Sequence, residues 1–176
     1  MQAILAGCMV KGTRPREWDP TLIERLLALR KGLPEDSLWN LYCYYYAMDC
    51  GQIDRADQYL GLALSQREGY PIESRAALFL EGAYFDARFR SDLLAASFWH
   101  AKSKEGHAEE QAHCRAEAAI FWAMGKLGEA VARAEAGLRA IPRSRDLGGR
   151  IAEQEWLEEL FQLCRKGIAA RSEPEK

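Results

Sequence analysis

The sequence predicts an all-α chain of about eight helices, and three observations carry that reading. Apolar residues recur at helical spacing from Asp19 onward. Glycine, proline and aspartate punctuate them at intervals matching single helices. The run with strand-like composition, Tyr42-Cys43-Tyr44-Tyr45-Tyr46, sits between a helix start and a glycine stop at helical length. Composition agrees: 48% of the 176 residues are hydrophobic and 28% charged, the balance of a soluble globular chain. Only 6 prolines and 14 glycines are present, too few for a disordered or collagen-like chain. With 24 Lys+Arg against 26 Asp+Glu the net charge is -2, which argues against a general nucleic-acid binder.

The first helix is expected over residues 19–31. Asp19-Pro20 reads as an N-cap followed by proline at the first helical position, and Leu22, Ile23, Leu26, Leu27 and Leu29 form an apolar face. A second helix begins near Pro34-Glu35-Asp36-Ser37 and stops at Cys50-Gly51. Helices over 53–66, 71–88, 92–104, 108–124 and 127–141 follow, separated by short turn-rich pieces. The last, over 147–164, carries Trp156, Leu157, Leu160, Phe161 and Cys164 on one side and Glu153, Glu155, Glu158 and Glu159 on the other. Residues 1–18 read as a tail or linker, 19–167 as one helical domain, and 168–176 as a disordered tail.

The five cysteines form no C-x-x-C pair and are odd in number, so a reducing, cytoplasmic setting is expected rather than a disulfide framework. No apolar run approaches the roughly 18 residues of a transmembrane helix, so no direct membrane insertion is expected. Leu5-Ala6-Gly7-Cys8 is similar to a bacterial lipobox. However, only Met1-Gln2-Ala3-Ile4 precede it, without the basic and apolar regions a signal peptide needs.

Helix–turn–helix units of similar length call for a test of internal repetition. Residues 111–142 contain Ala118 and Phe121, a turn at Gly125-Lys126-Leu127, then Ala130, Ala134, Gly137-Leu138 and Pro142. Gly51-Gln52-Ile53, Ala56, Leu60 and Ala63-Leu64 follow the same pattern at the same offsets. Placing Ala96 between Ala56 and Ala130 gives spacings of 40 and 34, with the longer interval taken up near Arg67-Glu68-Gly69-Tyr70-Pro71. The middle unit has Ser91 in place of a turn glycine and His100 at a usually large apolar position, and its register is open by one residue. This pattern resembles the tetratricopeptide repeat (TPR). The resemblance covers about residues 37–142 and implies an α-solenoid of three repeats, with the helices at 19–31 and 147–164 as caps.

Motifs for chemistry are absent. H-E-x-x-H, G-x-S-x-G, P-loop and G-x-G-x-x-G patterns do not occur, and Gly148-Gly149 lacks a preceding strand. His107 and His113, six apart on one expected helix, diverge rather than converge. No enzyme, metal or cofactor is expected. The TPR resemblance instead implies a concave face lined by the first helix of each repeat. Its positions select Leu41, Tyr45, Met48 and Asp49, then Glu81, Phe85 and Arg88, then Arg115, Ala119 and Trp122. Asp49 and Glu81 would repel a terminal carboxylate, so the carboxylate clamp of chaperone-tail-binding TPR proteins is not matched.

The expected function is a scaffold that binds a protein or peptide segment, with self-association as a further reading. One more resemblance is short. Arg14-Pro15-Arg16-Glu17-Trp18-Asp19-Pro20 is similar to the linker entering the soluble region of bacterial site-2-protease-type membrane metallopeptidases. It implies an accessory or regulatory domain lacking the catalytic part.

Overall fold

The computed structural model describes residues 37–70, 72–141 and 148–172. The Leu5–Cys8 motif, the linker around Arg14 and the helix expected over 19–31 lie outside the described residues, as do 173–176. Among the described residues every regular element is helical, with seven α-helices and no strand. The chain divides into two compact units, Met1–Tyr70 and Pro71–Lys176. The division falls within the stretch read from sequence as one domain.

In the first unit α1 (Ser37–Asp49) and α2 (Ile53–Ser65) form a helical hairpin, followed by a 3-10 turn at Arg67–Gly69. Helix α2 is strongly amphipathic and buries Ala56, Leu60, Ala63 and Leu64. Helix α1 is apolar on most sides and buries Trp39, Leu41, Cys43, Tyr44, Tyr46, Ala47 and Met48. The tyrosine run is therefore core helix, with Tyr44 fully enclosed and Tyr45 half-buried. Asn40, buried beside them, donates from Nδ2 to Gln66 Oε1 at 2.7 Å and ties the start of α1 to the end of α2.

The second unit holds α3 (Ile72–Phe85), α4 (Leu93–Ser103), α5 (Glu110–Ala123), α6 (Leu127–Ala140) and α7 (Gly148–Ser172). Helix α3 packs on α4, α5 on α6, and α6 on α7; α5 also packs against α3 and α7. Within this unit the α3–α4 hairpin thus packs on the α5–α6 hairpin chiefly through α3 and α5. Helix α7 continues to Ser172, past the stop expected at Cys164 and into the stretch expected to be a disordered tail from 168. A Cβ at Gly167 would come within 2.9 Å of Leu127 Cδ1, so the glycine is a close approach between α7 and α6 inside a continuing helix.

The turns repeat. Gly51, Ser91 and Gly125 have φ of 68°, 55° and 73°, the left-handed conformation that ends a helix. The next residues, Gln52, Asp92 and Lys126, share φ/ψ of -87/67, -89/85 and -85/67. Five residues beyond each turn residue stand Ala56, Ala96 and Ala130, all fully buried. The spacings of 40 and 34 read from the sequence therefore recur as backbone geometry.

One difference separates the middle turn. The amides of Gln52 and Lys126 donate to the carbonyls of Ala47 and Phe121, five residues back, at 2.8 and 2.9 Å. The Asp92 amide donates to the carbonyl of Asp86, six back, at 3.0 Å, because Asp86–Arg90 winds as a π-turn. The sequence pattern predicts an ordinary helix up to residue 88, without this turn. The extra residue shifts α3 by one position relative to its turn.

Ser91 gives a test of the turn. A left-handed L-residue costs about 1–2 kcal/mol, part of which glycine offsets by its larger unfolded-state entropy. Ser91→Gly is expected to raise stability by about 0.5–1 kcal/mol, and Gly51→Ala or Gly125→Ala to lower it by about 1 kcal/mol. Urea unfolding midpoints check both directions.

Candidate interaction surface

The positions implied by the TPR resemblance divide by burial. Leu41 and Met48 in the first unit are buried, whereas Tyr45 and Asp49 are half-buried. In the second unit Glu81, Phe85, Arg115 and Ala119 are buried, whereas Arg88 and Trp122 are half-buried. Leu41, Met48, Glu81, Phe85, Arg115 and Ala119 therefore offer a partner little or no surface in this conformation.

Arg115 explains the enclosure of the second set. Its side chain is 0% exposed and its guanidinium Nη2 pairs with Glu81 Oε1 across the α3–α5 contact. The guanidinium carbon lies 4.6 Å from the Tyr84 ring centroid and 4.8 Å from that of Trp156, so two aromatic surfaces take up its charge. Burial pushes the Tyr84 hydroxyl up to about 12, with Arg115 and then Arg88 pulling it down. Arg and Glu are usually surface residues, which is why the sequence places both on a face. A signal was present nonetheless. The two are 34 residues apart, the spacing of the turns at Ser91 and Gly125, so opposite charges fall at matching sequence positions of neighbouring helices.

Arg88 is the better exposed cation. It extends from the π-turn, with its guanidinium carbon 5.0 Å from the Trp122 ring centroid and 5.1 Å from that of Phe89. Its Nη2 meets Glu159 Oε1 on α7 at 3.2 Å. Arg88, Phe89, Trp122 and Glu159 thus join the ends of α3 and α5 to α7 in a patch of aromatic surface and both charges. Glu159 and Phe89 were missed because one was read as the solvated side of a cap and the other was hidden by the unpredicted turn.

A second polar cluster links α4, α5 and α6. Glu117 lies 3.3 Å from His100 Nε2 and pairs with Arg133 Nε at 2.7 Å. The approach of His100, followed by the Arg133 charge, holds the Glu117 carboxyl below its ordinary value against an opposing desolvation effect. The His113 ring lies 6.2 Å from that of His100, and burial first, then the His100 charge, lowers its affinity for a proton. His107 is exposed and precedes α5, so it does not share a helix with His113 as the sequence suggested.

Asp86 is buried at the π-turn and pairs with Arg90 at 2.5 Å, yet burial raises its carboxyl above the ordinary range. Burial likewise raises the thiols of Cys50, Cys114 and Cys164, which favours their protonated, weakly nucleophilic form. Among the described residues no group of three His, Cys, Asp or Glu side chains is arranged to hold a metal ion. Nor is any helix among them long and apolar enough to cross a membrane. No family model, curated protein or solved structure matches the chain.

Proposed function

We propose that this chain is a TPR-like helical-repeat scaffold that holds a segment of another protein and performs no chemistry of its own. The observation that carries the reading is the left-handed turn recurring at Gly51, Ser91 and Gly125, each followed by the same backbone dihedrals and a fully buried alanine. Hairpins that stack in the TPR manner leave an extended surface for a peptide.

In the second unit the docking patch centres on Arg88, Phe89, Trp122 and Glu159. The aromatic rings accept an apolar anchor, and Arg88 is shared between Glu159 and any incoming carboxylate. Tyr45 and Asp49 are the corresponding half-buried positions in the first unit.

The test is affinity capture from lysates of the source cells, with the bound proteins identified by mass spectrometry. A joint Arg88→Ala and Trp122→Ala change removes two central anchors and is expected to weaken capture at least tenfold, about 1.4 kcal/mol or more. The helical circular dichroism should persist. Undiminished capture by that variant overturns the patch assignment.

A further inference from the structure

Helix α4 does not match the helices that occupy its place in the other two hairpins. Relative to the left-handed turn residue, positions three, six, seven and ten carry Asp54, Asp57, Gln58 and Gly61 on α2. The same positions carry Gly128, Val131, Ala132 and Glu135 on α6. On α4 they are Leu94, Ser97, Phe98 and Ala101, an uncharged stripe at helical spacing in which two large apolar residues alternate with two small ones. All four are exposed, Leu94 by 85% and Phe98 by 52%. The opposite side of α4 buries Ala96 and Ser103 and stacks Trp99 on Phe79 of α3 at 5.6 Å. A helix that carries large apolar residues on both sides is one that something covers on both sides.

We propose that the exposed face of α4 is a self-association surface, occupied by α4 of a second copy in an antiparallel, two-fold crossing. The layout of the stripe selects this occupant. A two-fold contact must be complementary to itself. Reversing a second α4 about the midpoint between Ser97 and Phe98 sets each Leu94 against the other copy's Ala101, and each Phe98 against its Ser97. Every large side chain then meets a small one. The Ser97 hydroxyl does not go unpaired at such a contact, because a helical serine can donate to the carbonyl four residues back.

Charge follows the same reversal. Arg90 and Asp92 stand at the start of the helix, and Lys102, Lys104 and Glu105 at its end. The crossing therefore brings Arg90, which also pairs with Asp86, toward Glu105, which also pairs with Lys102. A parallel crossing would set Leu94 on Leu94 and like charge on like charge. One helix face covers less than the roughly 800 Å² per partner of a stable interface, so the association is reversible and concentration-dependent.

Light scattering and sedimentation of the full chain across a range of concentrations test this. The mass should rise from that of the 19.9 kDa monomer toward twice that value. Leu94→Glu and Phe98→Glu should each abolish the rise, and for Leu94→Glu circular dichroism and unfolding midpoint should stay unchanged, Leu94 being too exposed to support the fold. Asp54→Ala, on α2, should leave the rise intact.

Cysteines placed at positions 94 and 101 in separate preparations should cross-link to each other on mixing, above the level of the unsubstituted chain, and neither should cross-link to itself. A chain that stays monomeric throughout, or a dimer indifferent to Leu94→Glu, overturns the proposal. So does a monomer whose Leu94→Glu variant unfolds more readily, since the cover would then come from the chain itself. Self-linkage at position 94 overturns the antiparallel arrangement.

Discussion

Replacing Arg115 by alanine is expected to destabilise the second unit by about 3–5 kcal/mol. The cost comes mainly from what is left behind. Glu81 is buried against α5, and without Arg115 its carboxylate keeps its desolvation penalty and loses the opposite charge. Tyr84 and Trp156 also lose the cation that lies within 4.8 Å of both rings.

Arg115→Lys keeps the charge but not the flat guanidinium that faces two aromatic surfaces, so it should recover only part of the loss. The joint change Arg115→Met and Glu81→Leu removes both charges and roughly keeps the volume. It should be less damaging than Arg115→Ala alone, because no orphaned charge remains. Urea unfolding of the four proteins checks the ordering. A cost below about 1 kcal/mol for Arg115→Ala would show that the pair is solvated and the enclosure wrong.

Arg115 also marks where sequence reasoning reaches its limit. Helix class, turn positions and the 40 and 34 spacings were legible because they depend on local patterns: glycines that tolerate a left-handed turn, and alanines five residues on that admit a neighbouring helix. Ser91 shows the strength of such a pattern, adopting the same turn with φ of 55° without being a glycine. Burial of Glu81, Phe85 and Arg115 was not legible, since it depends on which helix covers which.

The π-turn was not legible either. Nothing in Asp86-Ala87-Arg88-Phe89-Arg90 distinguishes one extra residue per turn from an ordinary helix end, yet that residue turns α3 by about 100° in register. The half-exposed patch of Arg88, Trp122 and Glu159 was accordingly read only in part. Two members came from repeat positions, and Glu159 came only from the packing of α7.

The docking of α7 on α6 yields the other large effect. Leu157, fully buried, points its terminal methyls at Gly137, where a Cβ would come within 3.0 Å of Leu157 Cδ2 and 3.1 Å of Cδ1. It would also meet Cys114 Cβ at 3.0 Å, an atom held by the α5 backbone. Leu157→Ala leaves a cavity at the α5–α6–α7 junction and should cost about 2–5 kcal/mol.

Gly137→Ala gains up to about 1 kcal/mol of helix propensity but overpacks the same junction, a penalty of about 1–3 kcal/mol. It should therefore be neutral to destabilising. Gly61→Ala and Gly128→Ala, with nothing within 4 Å of the new methyl, should each stabilise by about 0.5–1 kcal/mol.

Combining Leu157→Ala with Gly137→Ala lets the new methyl enter the space that the leucine vacates. The pair should cost less than the sum of its parts, by about 1 kcal/mol, the range of coupling seen for residues in contact. Additivity would mean that Cys114 alone limits the approach. A coupling that favours the double variant shows that α7 is seated through Leu157 against the small-residue face of α6.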